Sequence, residues 1–401
     1  MSFLRANRNE IGLALATVLA VVIAGALDSN HTYFDSPGPS LTNILRQTAT
    51  LGIFALGSTV VIIAGGIDLS CGAVIAFSGT IFCGILLALN PLGVQGVGDA
   101  HIAAGEYAVA VAGTLVTGVL IGSLHTWLIT VVGLPPFVAT LATLVGLRSL
   151  ARAIIGPITA ATVGRPDAKI YLQDSSFSDI AGAVPFLVCL FAVLAFFTWF
   201  LLTRTVVGRH LYALGGNEDA ARLSGLRTDR LKWLAYSFGA LCSTLAGIIL
   251  IGQIGRAGPE NVGLGYELNA IAAAVVGGCS LKGGVGTVPG TVLGALFLRT
   301  VMDGIAKIVK GSSDVYEGFI VGIVVVIAVA VNQSGPARDS SRKLFPGVMG
   351  AINIVTLSIL LGTAVFLIVG GRPGLVVGGL AFVSMSALKI LQSRRAARPN
   401  A

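Results

Sequence analysis

The sequence predicts an all-α protein: a polytopic membrane helical bundle of about ten core transmembrane helices, followed by a C-terminal two-helix extension. Three observations predict it. Hydrophobic residues make up 55% of the 401 residues and charged residues only 11%, against about 25% charged in a soluble domain, so lipid must solvate much of the surface. Apolar runs recur at lengths near the ~20 residues a helix needs to cross a bilayer. The 53 glycines favour close helix packing and broken helices over strands.

Twelve runs follow in order. The first, 11–27, comes after Arg5 and Arg8; its Ala24-Gly25-Ala26 resembles a signal-peptide cleavage site, although a retained first helix is the commoner case in a polytopic chain. The second and third, 42–65 and 71–90, flank a glycine-containing break. The fourth, 106–132, opens near Tyr107, and the fifth, 135–153, leads into a long loop, 154–183. Trp199 stands near the end of the sixth, 184–203, and Trp233 opens the seventh, 233–252, as interfacial aromatics should. The eighth, 266–281, and the ninth, 287–305, lie close together; of all twelve, the fifth and eighth are short or mildly polar. The tenth, 316–333, opens at Tyr316, and the eleventh and twelfth, 347–370 and 374–391, form the extension. The organisation expected is therefore a core over 1–333, a basic linker over 334–346, and a hairpin with a basic tail over 347–401.

Orientation follows from lysine and arginine. Basic residues gather at the start, in 203–232, in 334–346 (Arg338, Arg342, Lys343) and in the tail, whereas 28–41 and 91–105 carry neither type. Placing the basic stretches in the cytoplasm of a bacterial inner-membrane protein requires an even number of crossings between each pair. The runs supply six, four and two, so both termini are expected inside. Arg148, Arg152, Arg165 and Lys169 break the pattern. The net charge of +8 is distributed as topology determinants between apolar runs, not as a phosphate-binding face, so no nucleic-acid partner is expected. The five cysteines show no metal-ligand or disulfide spacing and read as small buried residues.

The most informative stretch is 203–232, which is polar and too long for a simple connector. Asn217 can cap a short helix from Glu218 through Leu223, with Glu218 and Asp219 complementing its dipole and Gly225 suiting its end. It reads either as a docking element parallel to the membrane or as a basic topology loop. Gly65-Gly66-Ile67-Asp68-Leu69-Ser70-Cys71-Gly72 and Gly277-Gly278-Cys279-Ser280-Leu281-Lys282-Gly283-Gly284 share the pattern GGxxLxxG, which repeat-built transporters and chance in a glycine-rich chain both explain.

The stretch VGRHLYALGGNEDAARLSGL resembles the coupling region of permease subunits from ribose-, xylose- and galactose-type ATP-binding-cassette sugar importers. The same family shows motifs like Gly65-Gly66-Ile67-Asp68-Leu69-Ser70 and like Gly265-Tyr266-Glu267-Leu268-Asn269-Ala270-Ile271-Ala272 leading to Gly277-Gly278-Cys279-Ser280-Leu281. The resemblance covers about residues 40–333; it departs at Cys279 and at the C-terminal hairpin, since typical members end near 333. It implies a permease that pairs as a homodimer in the membrane lipid, docks cytoplasmic ATPase subunits and receives a monosaccharide from a periplasmic sugar-binding protein. ATP and magnesium would bind the partner ATPase and no cofactor this chain, in which no GxxxxGK[ST] loop occurs. Coupling would fall on Gly208, Arg209, Tyr212, Gly215, Asn217, Glu218, Ala221 and Gly225.

A sugar route needs hydroxyl and amide groups, for which Ser58, Thr59, Ser70, Asn269 and Ser280 are candidates. Asp68 either joins them or caps the third helix; Glu267 is expected near an outer helix end, Arg299 and Asp303 to pair across one turn, and His125 to be a hydrogen-bonded structural histidine. No catalytic or metal-binding set stands out. Competing readings are a secondary transporter or channel, for which midplane carboxylates are scarce, a related permease for nucleosides or amino acids, and an intramembrane enzyme.

Overall fold

A computed structural model describes residues 8–28, 32–96, 101–308, 347–369 and 371–396, with four further positions between 318 and 326. The regular elements of the described residues are helices apart from one antiparallel pair of two-residue strands. Its helices are α1 (Arg8–Leu27), α2 (Thr32–Asp35), α3 (Pro37–Ile63), α4 (Cys71–Leu89), α5 (Pro91–Gln95), α6 (Ala104–Thr130), α7 (Pro136–Val163), α8 (Ser175–Gly182), α9 (Val184–Arg204), α10 (Val206–Gly216), α11 (Glu218–Leu223), α12 (Thr228–Ile254), α13 (Tyr266–Val276), α14 (Val288–Ile308), α15 (Gly347–Val369) and α16 (Gly371–Ala396). Contacts divide the chain into two units, Met1–Ile308 with Asp314–Val329, and Val309–Ser313 with Ala330–Ala401. Among the described residues eight helices are long and apolar enough to cross a membrane. The tenth expected run, 316–333, and the linker 334–346 lie largely outside the described residues.

In the first unit α3, α4 and α12 form the interior, and α1, α6, α7 and α9 turn most of their apolar surface outward. That arrangement is inverted relative to a soluble protein and fits lipid as the outer solvent. Apolar burial does not drive helix association in lipid, so small residues must allow close backbone approach. A Cβ on Gly57 of α3 would lie 3.0 Å from the Cα of Gly239 on α12, and one on Gly294 of α14 only 2.1 Å from the carbonyl oxygen of Ala273 on α13. In the second unit, α15 and α16 pack together in the same way, with a Cβ on Gly362 lying 3.1 Å from the Cα of Gly378.

Two predicted elements change. The eighth expected span is a half-helix: α13 has 11 residues, about 16 Å at 1.5 Å per residue, half the ~30 Å hydrocarbon thickness. Gly265 starts it in the left-handed region (φ 76°) and it stops at Gly277. The fifth expected span runs on through Pro157 to Val163, where left-handed Gly164 ends it, so α7 takes up the first third of the expected loop.

The chain is also interrupted between α3 and α4, where residues 64–70 are non-helical and Gly65 takes φ 84°. α4 begins deep in the bundle: Ser70 reaches His125 of α6, whose ring lies 6.0 Å from that of Tyr236, about 12 Å along α12 from its start. α13 begins beside it. A Cβ on Gly72 would meet the Gly263 carbonyl oxygen at 2.2 Å and Glu267 Oε2 at 2.3 Å. From this shared level α4 and α13 run in opposite directions.

The irregular stretch 255–265 pairs through Arg256–Ala257 with Ile170–Tyr171 as a short antiparallel clasp, β1 being Ile170–Tyr171 and β2 Arg256–Ala257. Arg148 of α7 reaches into it, donating from Nη1 to the carbonyls of Pro259 (2.6 Å) and Val262 (3.0 Å). Irregular backbone at membrane depth must be satisfied inside the protein. This explains an arginine that topology rules could not place. Arg148→Met is expected to lower the thermal midpoint of the detergent-solubilised protein, each freed carbonyl costing about 1–3 kcal/mol. Arg152→Met, on an exposed position of the same helix, should leave it unchanged.

Candidate functional site

The stretch 203–232 folds into two short helices between α9 and α12, and local chemistry sets both ends. Thr205 caps α10, its Oγ1 accepting from the Gly208 amide at 3.1 Å. Asn217 caps α11, its Oδ1 accepting from the Ala220 amide at 3.0 Å, and α11 covers the Glu218–Leu223 range that the capping pattern predicts. Gly225 closes it with φ 83°, and the Leu226 amide donates back to the Ala221 carbonyl at 3.1 Å. Glu218 pairs with Arg222 at 3.2 Å and with Lys232 at 2.6 Å, tying α11 to the start of α12.

The inner side of α10 is packed against both helix breaks. Leu211 and Leu214 are buried, and Tyr212 donates its hydroxyl to the Gly286 carbonyl at 2.8 Å. Burial raises the Tyr212 phenol above its ordinary pKa, which keeps it a donor at any physiological pH. Gly215 lies at the point of closest approach. A Cβ there would stand 1.9 Å from the Ile63 carbonyl oxygen, 2.6 Å from the Gly284 nitrogen and 2.9 Å from the Gly65 nitrogen. Gly283 (φ 87°) answers from the other side, where a Cβ would meet the Gly215 oxygen at 2.5 Å and the Gly65 Cα at 2.7 Å. The Gly284 amide donates to the Ile63 carbonyl at 2.9 Å. Three segments distant in sequence thus meet backbone to backbone at one joint. Gly208 is buried too, where a Cβ would lie 2.3 Å from the Leu202 carbonyl oxygen.

The opposite face is open. Arg209, Asn217, Asp219 and Gly225 are exposed, and Ala221 is buried beneath them. Leu223 at the end of α11 is 90% exposed, a leucine with no packing partner of its own on a polar segment. The sequence reading passed over it; the signal was an apolar residue closing a capped helix with no apolar periodicity around it.

The candidates for a solute route are mostly inside the chain. Ser58, Thr59, Asp68, Ser70 and Asn269 are buried, and Ser280 is partly exposed. Asp68 and Ser70 come together: Asp68 Oδ1 accepts from the Ser70 amide (2.7 Å) and hydroxyl (2.6 Å), forming a turn just before α4. Thr59 of α3 contacts Thr291 of α14 at 2.8 Å, and Ser280 Oγ accepts from the Lys282 amide at 3.3 Å. Glu267 is half-buried at the start of α13, against α4. Asp303 accepts from Tyr33 and Asn43, both at 2.7 Å, and pairs with Lys307 at 2.7 Å, while Arg299 lies 3.5 Å from Gln47 Oε1. Among the described residues no group of three or more histidine, cysteine, aspartate or glutamate side chains could hold a metal ion.

Comparison with known proteins gives a consistent result. A family model described as "Branched-chain amino acid transport system / permease component" matches residues 40–329. The ribose import permease protein RbsC of Bacillus subtilis (strain 168) is 36% identical over 330 residues, 82% of this chain and 94% of its own. The ribose import permease protein RbsC of Escherichia coli (strain K12) is 33% identical over 324 residues, covering 79% and 92%. The xylose transport system permease protein XylH of the same organism is 28% identical over 396 residues, covering 84% and 95%. No solved structure gives a significant match.

The joint makes adjacent glycines unequal. Gly215→Ala is expected to loosen α10 and speed amide exchange across 206–216. Gly216→Ala, whose added carbon meets nothing within 4 Å, should leave exchange as it is.

Proposed function

The chain belongs to the family of branched-chain amino acid transport system / permease components, and on that premise we propose that it is the membrane-spanning subunit of an ATP-binding-cassette importer for a monosaccharide. The family description names amino acids, but the relatives matched over more than nine tenths of their own length are named for ribose and xylose. A pentose-like sugar is therefore the substrate class supported best. A secondary transporter or channel is not favoured.

One observation carries the mechanism. The α10–α11 segment presents an open face with Arg209 and Leu223, while its other face is seated through Gly215 on both helix breaks. In this reading ATP and magnesium bind a separate cytoplasmic ATPase, which docks on the open face. Closure of paired ATPase subunits displaces α10, and the joint delivers that displacement to α3–α4 and α13–α14. A periplasmic binding protein delivers the sugar to the far side of a homodimer in the inner membrane, with both termini of each chain in the cytoplasm. The sugar meets hydroxyl and amide groups such as those of Ser58, Thr59, Ser70, Asn269 and Ser280 along its route. The hairpin α15–α16 lies beyond the family match.

The test is co-expression with a partner ATPase and a pentose-binding protein, then uptake into proteoliposomes. Pentose uptake should require ATP on the ATPase side. Uptake by this chain alone would overturn the reading. Arg209→Glu and Leu223→Asp should still reach the membrane, but both should lose co-purification with the ATPase and sugar-stimulated hydrolysis. An exposed leucine seated in a partner pocket is worth about 1.5–3 kcal/mol, a tenfold or greater loss of affinity.

A further inference from the structure

Residues 66–70 form a short buried strap from the joint at Gly65 to the start of α4, and side chains of other helices tie it down. Thr140 Oγ1 of α7 lies 3.2 Å from the Ile67 carbonyl oxygen and shares its one hydroxyl hydrogen between it and the carbonyls of Pro136 (3.0 Å) and Phe137 (3.4 Å). Gly66 lies against α12, where a Cβ would sit 2.3 Å from the Tyr236 hydroxyl. Ser70 Oγ lies 3.3 Å from His125 Nε2, and that same nitrogen lies 2.8 Å from Thr143 Oγ1 on α7. His125 is 0% exposed and joins the strap to two helices at once.

The neighbouring bonds fix which way the protons point. Ser70 gives its one hydroxyl hydrogen to Asp68 Oδ1 at 2.6 Å, so toward His125 it can only accept. Thr143 can give its hydrogen to the carbonyls of Thr140 (3.0 Å) or Ala139 (3.2 Å), and then accepts from His125 as well. Both contacts are satisfied together only if Nε2 carries the hydrogen. Among the described residues Nδ1 has no hydrogen-bond partner, nor do the buried hydroxyls of Tyr236 and Ser237 on α12. Every bond His125 makes is therefore on the strap and α7 side, while the α12 side holds polar atoms with none. Tyr236 and Ser237 each carry a hydroxyl hydrogen that a ring nitrogen can accept, and the Tyr236 ring lies 6.0 Å from that of His125, so the α12 side offers His125 an alternative set of partners.

We propose that His125, as the Nε2–H tautomer, is the latch of the 66–70 strap: a positioning residue that holds the start of α4 in the arrangement seen here and exchanges its partners for those on α12 in the other state of the cycle. The inference rests on the transport reading for its role in the cycle, but not for the latch itself. It gives the coupling joint a path inward. Gly65 is the joint end of the strap, Ser70 is the α4 end, and His125 decides whether the strap between them is held.

Side-chain geometry supplies the test. Glutamine places an amide N–H where Nε2–H lies; asparagine is too short to do so, and leucine fills the space without a donor. The first readout is amide exchange over 66–70 in the purified chain, which needs no transport. H125N and H125L should exchange about tenfold faster than wild type, in the range for a buried acceptor left without its donor, and H125Q within about twofold. The second readout is sugar taken up per ATP hydrolysed in the full complex, expected to fall about tenfold in H125N and H125L and to recover in H125Q. Equal exchange in H125L and wild type would overturn the latch, as would H125Q behaving like H125L or failing to reach the membrane. A wild-type complex that moves no sugar while the exchange pattern holds would sink the transport reading and leave the latch standing.

Discussion

The structure depends on one constraint: irregular backbone inside a membrane protein must find its hydrogen bonds within the protein. Among the described residues, the stretches 64–70, 255–265 and 278–287 each take partners from another helix. Thr140 serves the Ile67 carbonyl, Arg148 the carbonyls of Pro259 and Val262, and Tyr212 the carbonyl of Gly286. Each donor fixes a helix relative to a break. α7 is held by two of them and α10 by the third, so the breaks organise the bundle around themselves.

Magnitudes explain why glycine recurs where these elements meet. A net hydrogen bond contributes about 1 kcal/mol, and apolar contact between helices gains little over contact with lipid. What remains is dispersion, which falls steeply with distance and rewards backbones that touch. At Gly57 with Gly239, and at Gly294 with Ala273, the absent side chain permits that approach. Gly215 is the same device at the edge of the bundle. Because it sets main chain on main chain, a displacement of α10 cannot be absorbed by a side-chain rotamer, whereas a contact between two long side chains would give way first.

Much of this was legible in the sequence, and the illegible part has a common cause. Run length and apolarity predicted the bundle, and Asn217 and Gly225 predicted the ends of α11, because capping is decided within a few residues. The half-length of α13 was missed because an apolar run through Gly277-Gly278 looks continuous to a window that ignores where the helix must stop. Arg148 looked like a violation of topology because its partners are carbonyls far along the chain. The joint was hidden for the same reason: nothing local to Gly65, Gly215 or Gly283 says that they touch.

The repeated pattern GGxxLxxG shows how far such signals reach. Both copies follow a helix end and both sit at a break, but they are not superposable in backbone conformation. The first copy turns left-handed at its first glycine, Gly65, and the second at Gly278, Gly283 and Gly284. The closing glycines differ as well: Gly72 abuts Gly263 deep in the bundle, whereas Gly284 abuts Gly216 on α10. One copy therefore leads from the joint inward to the start of α4, and the other returns from the end of α13 to the joint. Since α4 and α13 begin side by side and run apart, the two copies link α10 to both sides of that junction, one through the strap to α4 and the other through α13 itself. The approach of Gly72 to Glu267 is the place where the two links meet.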